Sequence, residues 1–290
     1  MSALPGEGDA TRFADPDAVR EALRDEHYLA DAGLSVAVYL AIRLEQPLLL
    51  EGEAGVGKTE TAKALAGATG ARLIRLQCHE GIDLASALYD WDYPRQLLAI
   101  RAAETRGESS GELFRREFLL RRPLLEALEH DGPVVLLIDE LDRADDDFEA
   151  FLLELLSDFQ VSIPELGTVT ASRRPTVIVT SNRTRELHDA LKRRCLYHWI
   201  EYPSREREAE IVHARLPGVP EAVADRVCDA IALLREQDLY KVPGVGETIS
   251  WARALLALGE DAGLTETLGA ALKVREDIER VAESGVLEGV

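Results

Sequence analysis

The stretch that most constrains this chain runs from Leu48 to Lys63, LLLEGEAGVGKTETAK. An apolar run, Leu48-Leu49-Leu50, leads into Gly52-Glu53-Ala54-Gly55-Val56-Gly57-Lys58-Thr59, and helix-forming residues follow. Strand, glycine loop and helix in that order are what a phosphate-binding loop requires. Glycines let backbone N–H groups converge on phosphate oxygens where a Cβ would block the approach, and the start of the helix adds partial positive charge. In this geometry Lys58 reaches the β- and γ-phosphates and the Thr59 hydroxyl ligates Mg²⁺, while residues 52–57 and Glu60 complete the cradle. A glycine turn before an ordinary helix would not explain why Gly52, Gly57, Lys58 and Thr59 all fill the fixed positions. The sequence therefore predicts a nucleoside triphosphate site with Mg²⁺ as its metal.

Hydrolysis of a bound nucleotide also needs a carboxylate for the metal and a base for water. Val134 to Ile138 is an unbroken apolar run that predicts a strand buried on both faces, and Asp139-Glu140 ends it. Ligands of open parallel sheets bind at the carboxyl ends of the strands. Asp139 is placed to hold Mg²⁺ or its water shell, and Glu140 to polarise the attacking water.

Around these two strands the pattern alternates. Asp15-Pro16-Asp17 opens a helix to about His27, and a second runs from Asp31 to about Glu45. Strands are predicted at Arg72 to Gln77, Thr176 to Val179 and within Tyr197 to Tyr202, with a hairpin over 161–170. The segment CHEGIDLASALYDWDYPRQLLAI is irregular, with Tyr89, Trp91 and Tyr93 closely spaced. Alternating aromatic and acidic residues suit a short projecting β segment ended by Pro94, ahead of a helix from Arg95; packing of the aromatics under a neighbouring helix is equally open. Residues 107–111 read as a flexible loop. From Ser204 onward the pattern is helical, with helices expected over 204–216, 219–237, 248–258 and 265–282. This gives a flexible N-terminus over 1–14, an α/β domain over 15–203 and an all-helical domain over 204–290.

The net charge of −20 argues against nucleic acid as a general partner, since a phosphate backbone would be repelled. Cys78, Cys195 and Cys228 are scattered, without metal spacing, and read as reduced thiols. No apolar run approaches a membrane span and the N-terminal residues lack a basic and apolar signal, so a cytoplasmic location is expected.

GEAGVGKT, LLIDELDRAD and VIVTSN in this order, then ALKRRC and a helical tail, resemble the AAA+ ATPases and in particular the MoxR group. LQCHEGIDLASALYDWDYPRQLL, ALKRRCLYHWIEYP and ISWARAL look most like CoxD-type accessory ATPases, associated with maturation of carbon monoxide dehydrogenase. The resemblance implies a P-loop core with strand order 5-1-4-3-2, a helix-2 insert near 84–94, a pre-sensor hairpin near 160–171 and a helical lid. It implies Asn182 as the sensor that helps place the lytic water, and Arg194, with Arg193 as the alternative, as the finger offered to a neighbouring subunit. It also implies Arg253 as the lid arginine reaching the phosphates. The partners implied are further copies in a hexameric ring, a von Willebrand factor A domain protein and a client metalloenzyme such as a molybdenum hydroxylase. A nucleotide-gated binding module and a nucleic-acid-directed motor are the alternative functions.

Overall fold

The computed structural model describes residues 13–105, 114–259 and 262–289. The N-terminus through residue 12 and the expected 107–111 loop lie outside them. Phe13, within the stretch expected to be flexible, is buried.

Helix α1 (Pro16–Asp25) starts where Asp15 accepts from the Ala18 N–H at 2.8 Å, with Pro16 in the first turn. Helix α2 (Ala32–Leu44) is capped in the same way by Asp31, which accepts from Leu34 N–H at 2.7 Å. Strand β1 (Leu48–Gly52), helix α3 (Lys58–Thr69) and strand β2 (Arg72–Gln77) follow. Gly70 in the left-handed conformation ends α3, where a side chain would be strained.

Next come α4 (Leu84–Ala87), β3 (Tyr89–Trp91), α5 (Tyr93–Thr105), β4 (Leu119–Arg121) and α6 (Pro123–Glu129). Strands β3 and β4 form an antiparallel pair of their own. Trp91 is buried in the core, edge-on to Phe114 at 5.1 Å, while Tyr93 is exposed. The aromatics therefore serve two roles. The helix expected from Arg95 begins at Tyr93, because Asp92 accepts from the Arg95 N–H and Pro94 sits in a first turn that needs no N–H from it.

Strand β5 (Val134–Asp139), helix α7 (Asp146–Asp158), the hairpin β6 (Gln160–Ile163) and β7 (Gly167–Thr170), strand β8 (Thr176–Ser181), the turn α8 (Asp189–Lys192) and strand β9 (Leu196–Ile200) complete the α/β part. The main sheet is parallel throughout, in the order β2-β5-β8-β1-β9. Strands β1 and β5 are buried at every position. The pleat sends alternate residues to opposite faces. Leu49, Leu136 and Val177 join one core, while Leu48, Leu50, Val135, Leu137 and Ile178 join the other with α1, α2 and α3. Parallel strands covered on both faces explain the continuous apolar runs.

Helices α9 (Arg205–Arg215), α10 (Glu221–Arg235), α11 (Val245–Leu258) and α12 (Arg275–Ser284) enclose a third core around Val227, Ile231, Trp251 and Leu255. The helix expected from Thr248 starts three residues earlier, since the Glu247 carboxylate in its first turn accepts from the Gly244 N–H at 3.1 Å. The single helix expected over 265–282 is broken into a 3₁₀ turn, Thr265–Ala270, and α12. Lys273 hydrogen-bonds the Gly269 and Ala270 carbonyls, and Val274 is extended, which stops one helix and starts the next.

Candidate active site

A cavity of about 1030 Å³ lies at the carboxyl ends of β1, β5, β8 and β9, closed by the α1–α2 connection and by α9 and α11. The 52–59 loop forms its floor. At Gly52 (φ +156°) an added Cβ would stand 2.3 Å from the Ile200 carbonyl oxygen, so no side chain fits there. Lys58 is 6 % exposed, and its ammonium donates to the Gly52 and Glu53 carbonyls at 2.7 Å each. Burial pushes the Lys58 pKa below the ordinary lysine value, opposed by the surrounding carboxylates of Asp142, Glu53, Asp139 and Glu140.

Asp139, 2 % exposed, is fully engaged. Its Oδ1 accepts from Thr59 Oγ1 at 2.9 Å and Thr180 Oγ1 at 2.6 Å, and its Oδ2 accepts from Arg75 Nε at 3.0 Å and Nη2 at 2.6 Å. Because Thr59 gives its proton to Asp139, its oxygen lone pairs are free for a hard cation, and this hydroxyl–carboxylate pair fits Mg²⁺. No cluster of three or more His, Cys, Asp or Glu side chains able to hold a metal occurs among the described residues.

Glu140 adopts the left-handed conformation (φ +55°) and lines the cavity. Its N–H donates to Thr180 Oγ1 at 2.9 Å, and its carboxylate pairs with Arg143 Nη1 at 3.1 Å. Asn182, just past β8, and Arg253, on α11, line the same cavity. Val56 is buried, Glu53, Ala54 and Gly55 are exposed, and Glu60 pairs with Arg215 at 3.1 Å across the cavity mouth.

The structure thus brings together Lys58, Thr59, Asp139, Glu140, Asn182 and Arg253. It does not bring Arg193 and Arg194 to them. Both follow α8, are exposed and have no side-chain partner among the described residues. They precede β9, whose first residue pairs with the first residue of β1, so they lie at the opposite end of the sheet from the phosphate loop.

Four contributors went unassigned from sequence. Thr180 bridges Asp139 and Glu140, and polar residues ending a buried strand were its only signal. Arg75 and Arg215 reach the site from elements whose side-chain directions no motif fixes. Tyr28, whose hydroxyl accepts from Thr61 Oγ1 at 2.8 Å, is half-buried, and desolvation pushes its pKa up to about 12.

Residues 48–201, a little over half of the chain, match the family model described as ATPase family associated with various cellular activities (AAA).

Proposed function

Because this chain belongs to the ATPase family associated with various cellular activities, we propose that it hydrolyses Mg·ATP to ADP and phosphate and uses the cycle to remodel a client protein. The observation that carries the reading is the hydrogen bond between the Thr59 hydroxyl and the buried Asp139 carboxylate at the foot of the glycine loop, with Glu140 next in sequence on the cavity wall. When bound there, Mg²⁺ supplies charge to the transferring phosphoryl group. Lys58 leaves the Gly52 and Glu53 carbonyls for the phosphate oxygens. Glu140 accepts a proton from water as the water oxygen bonds to the γ-phosphorus and the bond to the β,γ-bridging oxygen breaks. Asn182 orients the water, and Arg253 joins the phosphates from the helical region, which acts as a lid.

Arg194, with Arg193 as the alternative, completes the site of a neighbouring copy in a hexameric ring. The exposure of both arginines away from their own cavity, with no side-chain partner among the described residues, supports this reading. Within the family we place the chain in the MoxR group, on the motifs that resemble it. Its client is then a metalloenzyme under assembly, such as a molybdenum hydroxylase of the carbon monoxide dehydrogenase type, with a von Willebrand factor A domain protein as adaptor. A nucleotide-gated binding module is the second reading, favoured by the ion pair of the Glu140 carboxylate with Arg143, which would have to release before Glu140 accepts a proton.

Glu140→Gln tests the first reading. It should bind Mg·ATP as the wild type does and hydrolyse it ~10²-fold or more slowly, the size of a lost general base. Near-normal turnover would remove Glu140 from that role. Client capture by the ATP-loaded variant would identify the substrate.

A further inference from the structure

The phosphate loop is gripped from outside by Tyr202, just after β9, and by residues of the helical region. Tyr202 Oη donates to the Ala54 carbonyl at 3.1 Å, and the Val245 N–H, at the start of α11, donates to the Gly55 carbonyl at 3.0 Å. Gly244 presses on Gly55 so closely that a Cβ on Gly244 would lie 2.6 Å from Gly55 Cα, and one on Gly55 would lie 2.9 Å from Gly244 Cα. Real Cβ contacts do not come this near, so neither position accepts a side chain without displacing the loop.

These contacts share one anchor. The guanidinium of Arg235, from α10, lies 4.5 Å over the Tyr202 ring, its Nε donates to the Pro243 carbonyl at 3.0 Å, and its two terminal nitrogens pair with Glu208 of α9 at 2.6 and 2.8 Å. Glu208, 1 % exposed, also accepts from Thr248 Oγ1 of α11 at 2.5 Å. A buried carboxylate with both oxygens engaged, facing a planar fork stacked on an aromatic ring, has little freedom to shift. One group therefore fixes α9, α10, the start of α11 and the Tyr202 ring relative to the loop carbonyls.

We infer that Arg235, Tyr202 and Gly244 are positioning residues of the phosphate loop, which they hold in its binding shape through the Ala54 and Gly55 carbonyls. Because the same group carries α11, and with it Arg253, the loop and the helical region are tied to one another. The inference rests on the nucleotide reading above and goes beyond it, since none of these three residues belongs to a phosphate-binding motif.

The test measures the affinity of the full chain for fluorescent Mg·ADP together with thermal stability. Tyr202→Phe keeps the ring and removes only the hydroxyl, so affinity should fall about five-fold, the worth of one neutral hydrogen bond, with the melting temperature lowered by no more than about 2 °C. Gly244→Ala should weaken binding at least about ten-fold by forcing the loop to move. Gly269→Ala, in the helical region with nothing within 4 Å of the added Cβ, is the control and should bind like the wild type. Hydrogen exchange over residues 243–250 should change on adding Mg·ADP to the wild type but not to Gly244→Ala, a response that a merely structural role would not produce. Tight binding by the wild type together with unaltered affinity in both Tyr202→Phe and Gly244→Ala would overturn the inference alone. A wild type that binds no nucleotide would overturn the nucleotide reading and the inference with it.

Discussion

Replacing Thr180 by valine keeps the shape of a buried side chain and removes two hydrogen bonds at once. Thr180 is 1 % exposed; its hydroxyl donates to Asp139 Oδ1 at 2.6 Å and accepts from the Glu140 N–H at 2.9 Å. The bond to a carboxylate is worth about 1.5–3 kcal/mol and the neutral one about 0.5–1.5 kcal/mol, so the loss should total about 2–4 kcal/mol. With an unfolding entropy of about 2.1 cal/mol/K per residue, this lowers the melting temperature of a chain this long by about 3–7 °C. The functional loss should be larger in proportion. Glu140 is held in a left-handed conformation that a non-glycine residue rarely adopts, and the Thr180 bond ties its backbone to β8. Released from that tie, the carboxylate should leave its position over the cavity, and turnover should fall about 10–10²-fold while nucleotide affinity changes little. Thr180→Ser, which keeps the hydroxyl, should recover most of both. Melting scans and phosphate release at saturating ATP measure the two effects. A valine variant that melts within about 1 °C of the wild type and turns over at its rate would refute the bridging role.

Two further outcomes follow from the site and its surroundings. If Arg194 completes a neighbour's site, Arg194→Ala should lower turnover about 10³-fold or more without weakening nucleotide binding, and the wild-type rate per subunit should rise with protein concentration; a fully active monomer would contradict this, and a larger loss in Arg193→Ala would reassign the finger. Burial pushes the Cys78, Cys195 and Cys228 thiols up to about 12. Because the thiolate is the reactive form, a thiol reagent at pH 8 should label the native chain about 10³-fold more slowly than the urea-unfolded chain, with reactivity rising as pH approaches 12; rapid native labelling of all three would contradict the shift.

The parts of the fold and site readable in the sequence are those fixed by short-range chemistry. Gly52, Gly57, Lys58 and Thr59 show the loop because backbone conformation and phosphate contact restrict each position to one or two residue types. The apolar runs of β1, β5 and β8 show buried parallel strands because both faces are covered. Asp15 and Asp31 show helix starts because a capping side chain acts on a backbone N–H three residues away. The rest depends on long-range placement. Strand β4, the three residues LLR between Phe118 and Arg122, has no period long enough to mark it and exists because β3 pairs with it. Arg75 could be any edge-strand arginine until the β2–β5 register sets Gln77 opposite Asp139. Gly244 looks like an ordinary turn glycine, and only its contact with Gly55 shows why it is glycine. The break before α12 comes from Lys273 capping two carbonyls and an extended Val274, details that a helical period over 265–282 does not reveal.

The most direct test of the central claim is phosphate release from Mg·ATP in a single turnover, with the wild type and Lys58→Ala measured side by side, with and without a chelator. Release by the wild type that requires Mg²⁺ and is lost in Lys58→Ala is the predicted result. No release from the wild type, or release that persists in Lys58→Ala, would contradict the assignment of hydrolysis to this site.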